Sequence, residues 1–272
     1  MDDIAGRTAF ITGGANGIGL GIARAFARAR AKLALADVDA AALATAKAEL
    51  AEQTDVATFV LDVRDRDAFA RAADETETRL GPVSLLFNNA GIALAVPVET
   101  MSFEAWDYAL GVNLGGVVNG LQTFLPRMLA RSREIGGGHV VNTASGAGLA
   151  TPGAGFLYHT AKFAVVGLSE ALRSELQGAG IGVSVLCPGP VATRILHHTL
   201  RMQPASTPRL DAQSLAAVDG VLGSGESPDA VGEMVLRAVR ENALYIHTDR
   251  MMELPIQART QALLDALPKR RG

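Results

Sequence analysis

The chain has 272 residues, 49% of them hydrophobic and only 19% charged, which is enough apolar material for a sizeable core and excludes a disordered chain. A net charge of −3 with a pI near 6.0 argues against a nucleic-acid partner, because neutralising phosphates takes a basic face. No apolar run approaches the roughly 20 residues that span a bilayer, so no membrane association is expected.

The first residues, "MDDIAGR", lack a basic stretch followed by an apolar one, so no secretory leader is expected and the chain is read as cytoplasmic. The first strand is predicted at "TAFIT" (8–12). It runs directly into "TGGANGIG" (12–19) and then a helix. Gly13, Gly17 and Gly19 permit a tight turn and close approach of backbone to a pyrophosphate, which would face the free N–H groups of the helix start, with Asn16 and Ile18 beside them. The spacing is G-x-x-x-G-x-G rather than G-x-G-x-x-G.

A second strand, "KLALAD" (32–37), ends in Asp37, 20 residues after Gly17, where a carboxylate would accept from adenosine ribose hydroxyls and repel a 2′-phosphate. Asn16 and Val38 stand where an Arg or Lys could have paired with that phosphate, so NAD is preferred to NADP. A helix is predicted over 39–53, and either Asp37 or Asp39 could cap it. The third strand, "VATFVLD" (56–62), ends in Asp62, which either meets the adenine edge or is a solvated strand end. Val63 follows it, and a helix is predicted over 65–80.

The fourth strand, "VSLLFNN" (83–89), leads into "NNAG", which includes Asn89, Ala90 and Gly91. A fifth strand is predicted at "HVVNTA" (139–144). "YHTAK" (158–162) then places one of only three tyrosines four residues before a lysine, on one face of a helix, about 6 Å apart along its axis. The pair alone fits a catalytic acid or a surface aromatic beside a charge. The helical stretch 160–178 carries a core stripe of Ala161, Val165, Leu168, Leu172 and Leu176.

The sixth strand, "GVSVLC" (182–187), ends in Cys187, the sole cysteine, read as a small core residue of a protein in a reducing compartment. Residues 190–227 are irregular and long for a connection, which fits a substrate lid or a disordered segment. A further helix begins at "SPDA", capped by Ser227 with Pro228 in its first turn, and a seventh strand is predicted at "ALYIH" (243–247). The chain ends in a C-terminal extension (249–272) with a short basic tail, "PKRRG", read as solvated. The strands are mostly continuous apolar runs, as strands covered on both faces are, and they alternate with helices. The expected fold is α/β: one doubly wound domain, with a mainly parallel seven-stranded sheet and helices on both faces.

With the glycine-rich turn, "NNAG" and "YHTAK" in this order, the chain resembles the short-chain dehydrogenases/reductases along almost its whole length. The resemblance implies a single Rossmann-type domain over 1–272, and a catalytic group of Asn113 in "GVNLGG", Ser145 in "NTASGAG", Tyr158 and Lys162. "CPGPVAT" (187–193) is similar to the stretch that meets the nicotinamide, with Pro188, Gly189, Val191 and Thr193 as contacts. Tyr158 would be the general acid and base of an alcohol–ketone interconversion, its pKa lowered from near 10 by Lys162 together with the positive nicotinamide of oxidised cofactor. Ser145 would hold the substrate oxygen, Lys162 would also bind the nicotinamide ribose, and Asn113 would fix a water leading to solvent. A homodimer or homotetramer is implied, with helices 102–131 and 157–178 and a C-terminal segment between subunits.

"DIAGRTAFITGGANGIGLGIA" and the terminal "YIHTDRMMELPIQARTQALLDALP" are further similar to bacterial NAD-dependent dehydrogenases of benzylic lignin-type aryl-ether alcohols. Leu94, Val96, Phe156, Ile195, Leu196 and Leu200 would line an apolar substrate pocket, while the adjacent His197 and His198 are read as solvated. The alternatives are a 3-oxoacyl-thioester reductase or hydroxysteroid-type dehydrogenase on the same site, or a non-catalytic NAD-sensing protein.

Overall fold

A computed structural model describes residues 3–151, 153 and 155–268; the basic tail from Lys269 onward lies outside the described residues. The chain lays down β1 (Thr8–Thr12), α1 (Gly17–Arg28), β2 (Lys32–Asp37), α2 (Ala40–Leu50), β3 (Val56–Val60), α3 (Arg66–Leu80) and β4 (Val83–Asn88). Next come α4 (Phe103–Leu110), α5 (Gly116–Ala130), β5 (Gly138–Thr143), α6 (Phe156–Glu175) and β6 (Ile181–Cys187). The last elements are α7 (Ile195–Met202), α8 (Ala212–Gly223), α9 (Pro228–Glu241), β7 (Tyr245–His247) and α10 (Glu253–Asp265). The sheet has seven strands in the order β3-β2-β1-β4-β5-β6-β7, and every pairing is parallel.

Alternation along β1 divides the core. Ala9 and Ile11 pack with Ile22 and Phe26 of α1 and Val235 and Val239 of α9 on one face. Phe10 faces the other side, where it meets Phe69 of α3 and Phe124 of α5, with ring centres 5.8 and 4.6 Å away. Helices α1 and α9 touch through glycine: a methyl at Gly21 would lie 1.9 Å from the Pro228 carbonyl, so no larger residue fits. Ser227 caps α9 by accepting from Ala230 N (3.1 Å), as its sequence context predicts. No helix among the described residues is long and apolar enough to cross a membrane.

Three segments differ from the sequence expectation. The irregular stretch 190–227 contains α7 and α8, and its base is closed by a bridge between Val191 and Glu226. The long helix 102–131 is interrupted by one wide π turn, Gly111–Gly115, between α4 and α5. The seventh strand is only three residues long.

Candidate active site

Strand order reverses between β1 and β4, and a crevice therefore opens beyond their carboxyl ends. Thr12 stitches these ends together: its hydroxyl accepts from Asn89 N (2.9 Å) and Ala90 N (3.0 Å). The Asn89 side chain donates to Thr12 O (3.0 Å) and accepts from Thr143 Oγ1 (3.2 Å), so "NNAG" is knitted to β1 and to the end of β5. The resulting cleft has a volume of about 460 Å³.

At one end of the cleft lie Gly13, Asn16, Gly17 and Ile18. Asn16 occupies the N-cap position of α1 with no side-chain cap, leaving first-turn N–H groups open toward the cleft. Gly19 lies behind them: a methyl there would stand 2.0 Å from Gly13 O. The missing side chain lets helix and turn touch.

Asp37 and Val38 line the cleft at the end of β2. Asp39, not Asp37, caps α2 by accepting from Ala42 N (3.0 Å). Asp37 instead accepts from Ala15 N (3.2 Å) and Asp39 N (3.1 Å), while burial pushes its carboxyl above the usual range. Asp62 and Val63 also border the cleft, but the Asp62 carboxylate is engaged by Arg64 at 2.6 Å, which holds its pKa down. The expected adenine contact therefore competes with an ion pair that the sequence argument left out.

Ala90, Gly91, Asn89, Tyr158, Lys162, Pro188 and Thr193 all face the same cleft. Lys162 is 3% exposed, with Nζ donating to Thr143 O (3.0 Å) and lying 5.6 Å from the centre of the Tyr158 ring. Ser145, just past β5, accepts at Oγ from Ala147 N (3.1 Å) and stands near enough to Tyr158 to lower its phenol's pKa. A methyl at Gly91 would lie 3.0 Å from Asn113 Oδ1 and 3.5 Å from Lys162 Nζ, so the asparagine and lysine converge there.

Asn113 and Tyr158 have further partners. Asn113 exchanges hydrogen bonds with the backbone of Ile92, Oδ1 accepting from its N–H and Nδ2 donating to its carbonyl, both at 3.1 Å. The amide thus clamps the π turn to the loop after β4. In the protein without cofactor, burial raises the Tyr158 phenol and Ser145 opposes the rise. The ammonium lies over the ring face, and burial pushes its own pKa down to about 8.

Other expected contacts fall elsewhere. Val191 is a core residue, and Gly189 turns toward Thr248 and Asp249, its N–H donating to Thr248 Oγ1 (3.0 Å). Leu94, Val96 and Leu196 are buried beneath the surface, Phe156 packs edge-on against Trp106, and of the expected pocket residues Ile195 alone borders the cleft. Ile92, Tyr108, Val112 and Met202 supply the rest of its apolar wall. His197 pairs with Asp219 of α8 (2.7 Å), and His198 lines the cleft beside Arg201, which reaches Asp39 (3.0 Å). Cys187 is buried and its thiol pushed up to about 12, which leaves it inert.

The cleft fits a dinucleotide: open helix N–H groups at one end, a carboxylate at the end of β2, and a buried amine beside a phenol at the other. A larger opening of about 960 Å³ lies at the amino ends of β5 and β6, but its Arg7 and Arg173 are committed to backbone carbonyls.

Comparison with known proteins agrees with this layout. The sequence model of a family described as short chain dehydrogenase matches residues 7–204. A C alpha-dehydrogenase of Sphingobium sp. (strain NBRC 103272 / SYK-6) is 37% identical over 98% of this chain and 88% of its own length. A short-chain dehydrogenase/reductase from Burkholderia phymatum, crystallised in complex with NAD, superposes with a TM-score of 0.90 at 32% identity, covering 100% of this chain and 99% of that one. The apo form of LigO from Sphingobium sp. strain SYK-6 superposes with a TM-score of 0.82 at 35% identity, over 98% of this chain and 90% of that one.

Proposed function

The chain belongs to the short-chain dehydrogenase family and is an oxidoreductase of the alcohol dehydrogenase/reductase kind, and from that membership we propose that it moves a hydride between a secondary alcohol or its ketone and NAD. The observation that carries the proposal is the meeting of Ser145, Tyr158 and Lys162 at one end of the cleft whose other end is the uncapped start of α1.

Bound NAD would supply the hydride acceptor and a positive ring beside the phenol. The first turn of α1 would hold the pyrophosphate, Asp37 the adenosine ribose, and Lys162 the nicotinamide ribose. The Ser145 hydroxyl, with one lone pair already taken by Ala147 N–H, holds the substrate oxygen beside Tyr158. Tyr158 accepts the hydroxyl proton in oxidation and returns it in reduction. In the protein alone the surroundings of the half-buried phenol favour its protonated form, and oxidation needs nearby positive charge to draw the proton off. Asn113 acts as a strut that keeps the loop after β4 against the lysine.

For substrate we infer a benzylic or other aromatic secondary alcohol. Similarity over nearly the whole chain to a protein named C alpha-dehydrogenase supports this, as does the apolar side that Ile195 and Met202 of α7 give the cleft. NAD over NADP follows from Asp37, and Arg201, which reaches that end, is already paired with Asp39. The working form is a homodimer or homotetramer; helix α10 buries none of its residues and exposes Leu254, Leu263 and Leu264, as a subunit contact would.

Following NAD or NADP reduction at 340 nm with benzylic, steroidal and acyl-thioester alcohols tests the whole proposal. Benzylic alcohols should give the highest kcat/KM, with NAD preferred. NAD binding without turnover of any alcohol would contradict it.

A further inference from the structure

Ser145 must point its hydroxyl at one place, yet it stands at the start of a short 3-10 turn, Gly146–Gly148, joining β5 to α6. That turn is fastened on two sides. On one, Gly146 N–H donates to Pro188 O (2.8 Å) beyond β6. On the other, His159 Nδ1 lies 2.8 Å from Ala147 O. A carbonyl oxygen can only accept, so Nδ1 carries the proton and the tautomer is set by the contact. The N–H of the same Ala147 donates to Ser145 Oγ (3.1 Å). One residue is therefore gripped through its carbonyl and grips the serine through its amide. His159 is 9% exposed and directly follows Tyr158 on α6, so a single helical turn carries both the phenol and the anchor of the serine's turn.

We propose that His159 is a positioning residue: by holding Ala147 it aims the Ser145 hydroxyl at the oxygen whose proton Tyr158 moves. The role rests on the alcohol–ketone reaction proposed for this cleft. The histidine touches no reacting atom and acts through Ala147 alone. The arrangement makes the serine-to-tyrosine geometry a property of α6 rather than of a glycine-rich turn free to rock.

The test compares the full-length wild type with His159→Leu, which keeps bulk and loses the donor, and His159→Asn, whose amide nitrogen can take the place of Nδ1. Steady-state kinetics give one readout, and amide hydrogen exchange over residues 143–149 gives another that needs no turnover. His159→Leu should lower kcat by roughly ten- to a hundredfold, hold the Kd for NAD within about twofold, and speed exchange in the turn. His159→Asn should recover most of both losses. If His159→Leu yields no folded protein, His159→Gln, with its donor displaced by one carbon, should show the same pair of defects. Normal exchange and normal kcat in the Leu or Gln variant overturn the proposal, as does a loss that Asn does not restore. Absence of turnover by the wild type on every alcohol tried would instead overturn the reaction itself, and the role of His159 with it.

Discussion

Asp37 and Asp39 lie two residues apart and have different tasks. Asp39 takes the helix cap, which leaves Asp37 at the cleft with its carboxylate steadied by two backbone N–H groups. Replacing Asp37 with Ser removes the charge that repels a 2′-phosphate, so the ratio of kcat/KM for NAD over NADP should fall by about tenfold or more. An unchanged ratio would contradict the ribose contact. At this scale the sequence was legible wherever partners are close in the chain: Tyr158 and Lys162 share a helix face because four residues make about one turn. It was illegible where partners are distant. Arg201 meets Asp39 across 162 residues, and no spacing rule reaches that far. The Asp62–Arg64 pair was near enough to notice, but a charge two positions beyond a strand end carries no periodic signal.

Among the elements, α7 most changes the picture of residues 190–227. It is an eight-residue helix with two adjacent histidines, too short for its period to stand out in the sequence, and α8 is set by Asp211 accepting from Ser214 N (2.8 Å). Helix α7 lies along the cleft through Ile195, His198 and Met202, tied to the loop after β4 by Ala93 N–H donating to Thr199 Oγ1 (2.9 Å) and to the end of β2 by Arg201. Asp39→Asn keeps a good capping residue while removing the ion pair, and Arg201→Gln removes it from the other side. Each should raise the substrate KM by up to about fivefold, as fits a pair that is partly exposed, and the double variant should be no worse than either single one. Additive losses would show that α7 is not latched there. The π turn at Gly111–Gly115 escaped notice because "GVNLGG" reads as ordinary helix with glycines, and only the bonds between Asn113 and Ile92 reveal its purpose.

For the whole molecule, the parallel sheet was the most legible feature, because strands covered on both faces are written as unbroken apolar runs. Buried titratable groups were the least. His139 is 2% exposed within β5, its Nε2 2.8 Å from Ser184 Oγ. The serine proton goes to Ala243 O, so Nε2–H donates and the ring is neutral; burial pushes its pKa down to about 3. The unfolded chain, with an ordinary histidine near 6.5, takes up the proton first, so stability present above that pH is lost as pH falls toward 3. Between pH 7 and pH 5 this one residue should cost about 2 kcal/mol. Urea unfolding of wild type and His139→Gln at both pH values checks it: the variant should lose less by about that amount, and equal losses would contradict the assignment. The central claim concerns the working enzyme, that Tyr158 moves the proton while dinucleotide binding is independent of its hydroxyl. The most direct test is NAD reduction by Tyr158→Phe with a benzylic alcohol, alongside its Kd for NAD. The rate should drop by about a thousandfold with the Kd within about twofold of wild type, whereas a rate above about 5% of wild type would contradict the account.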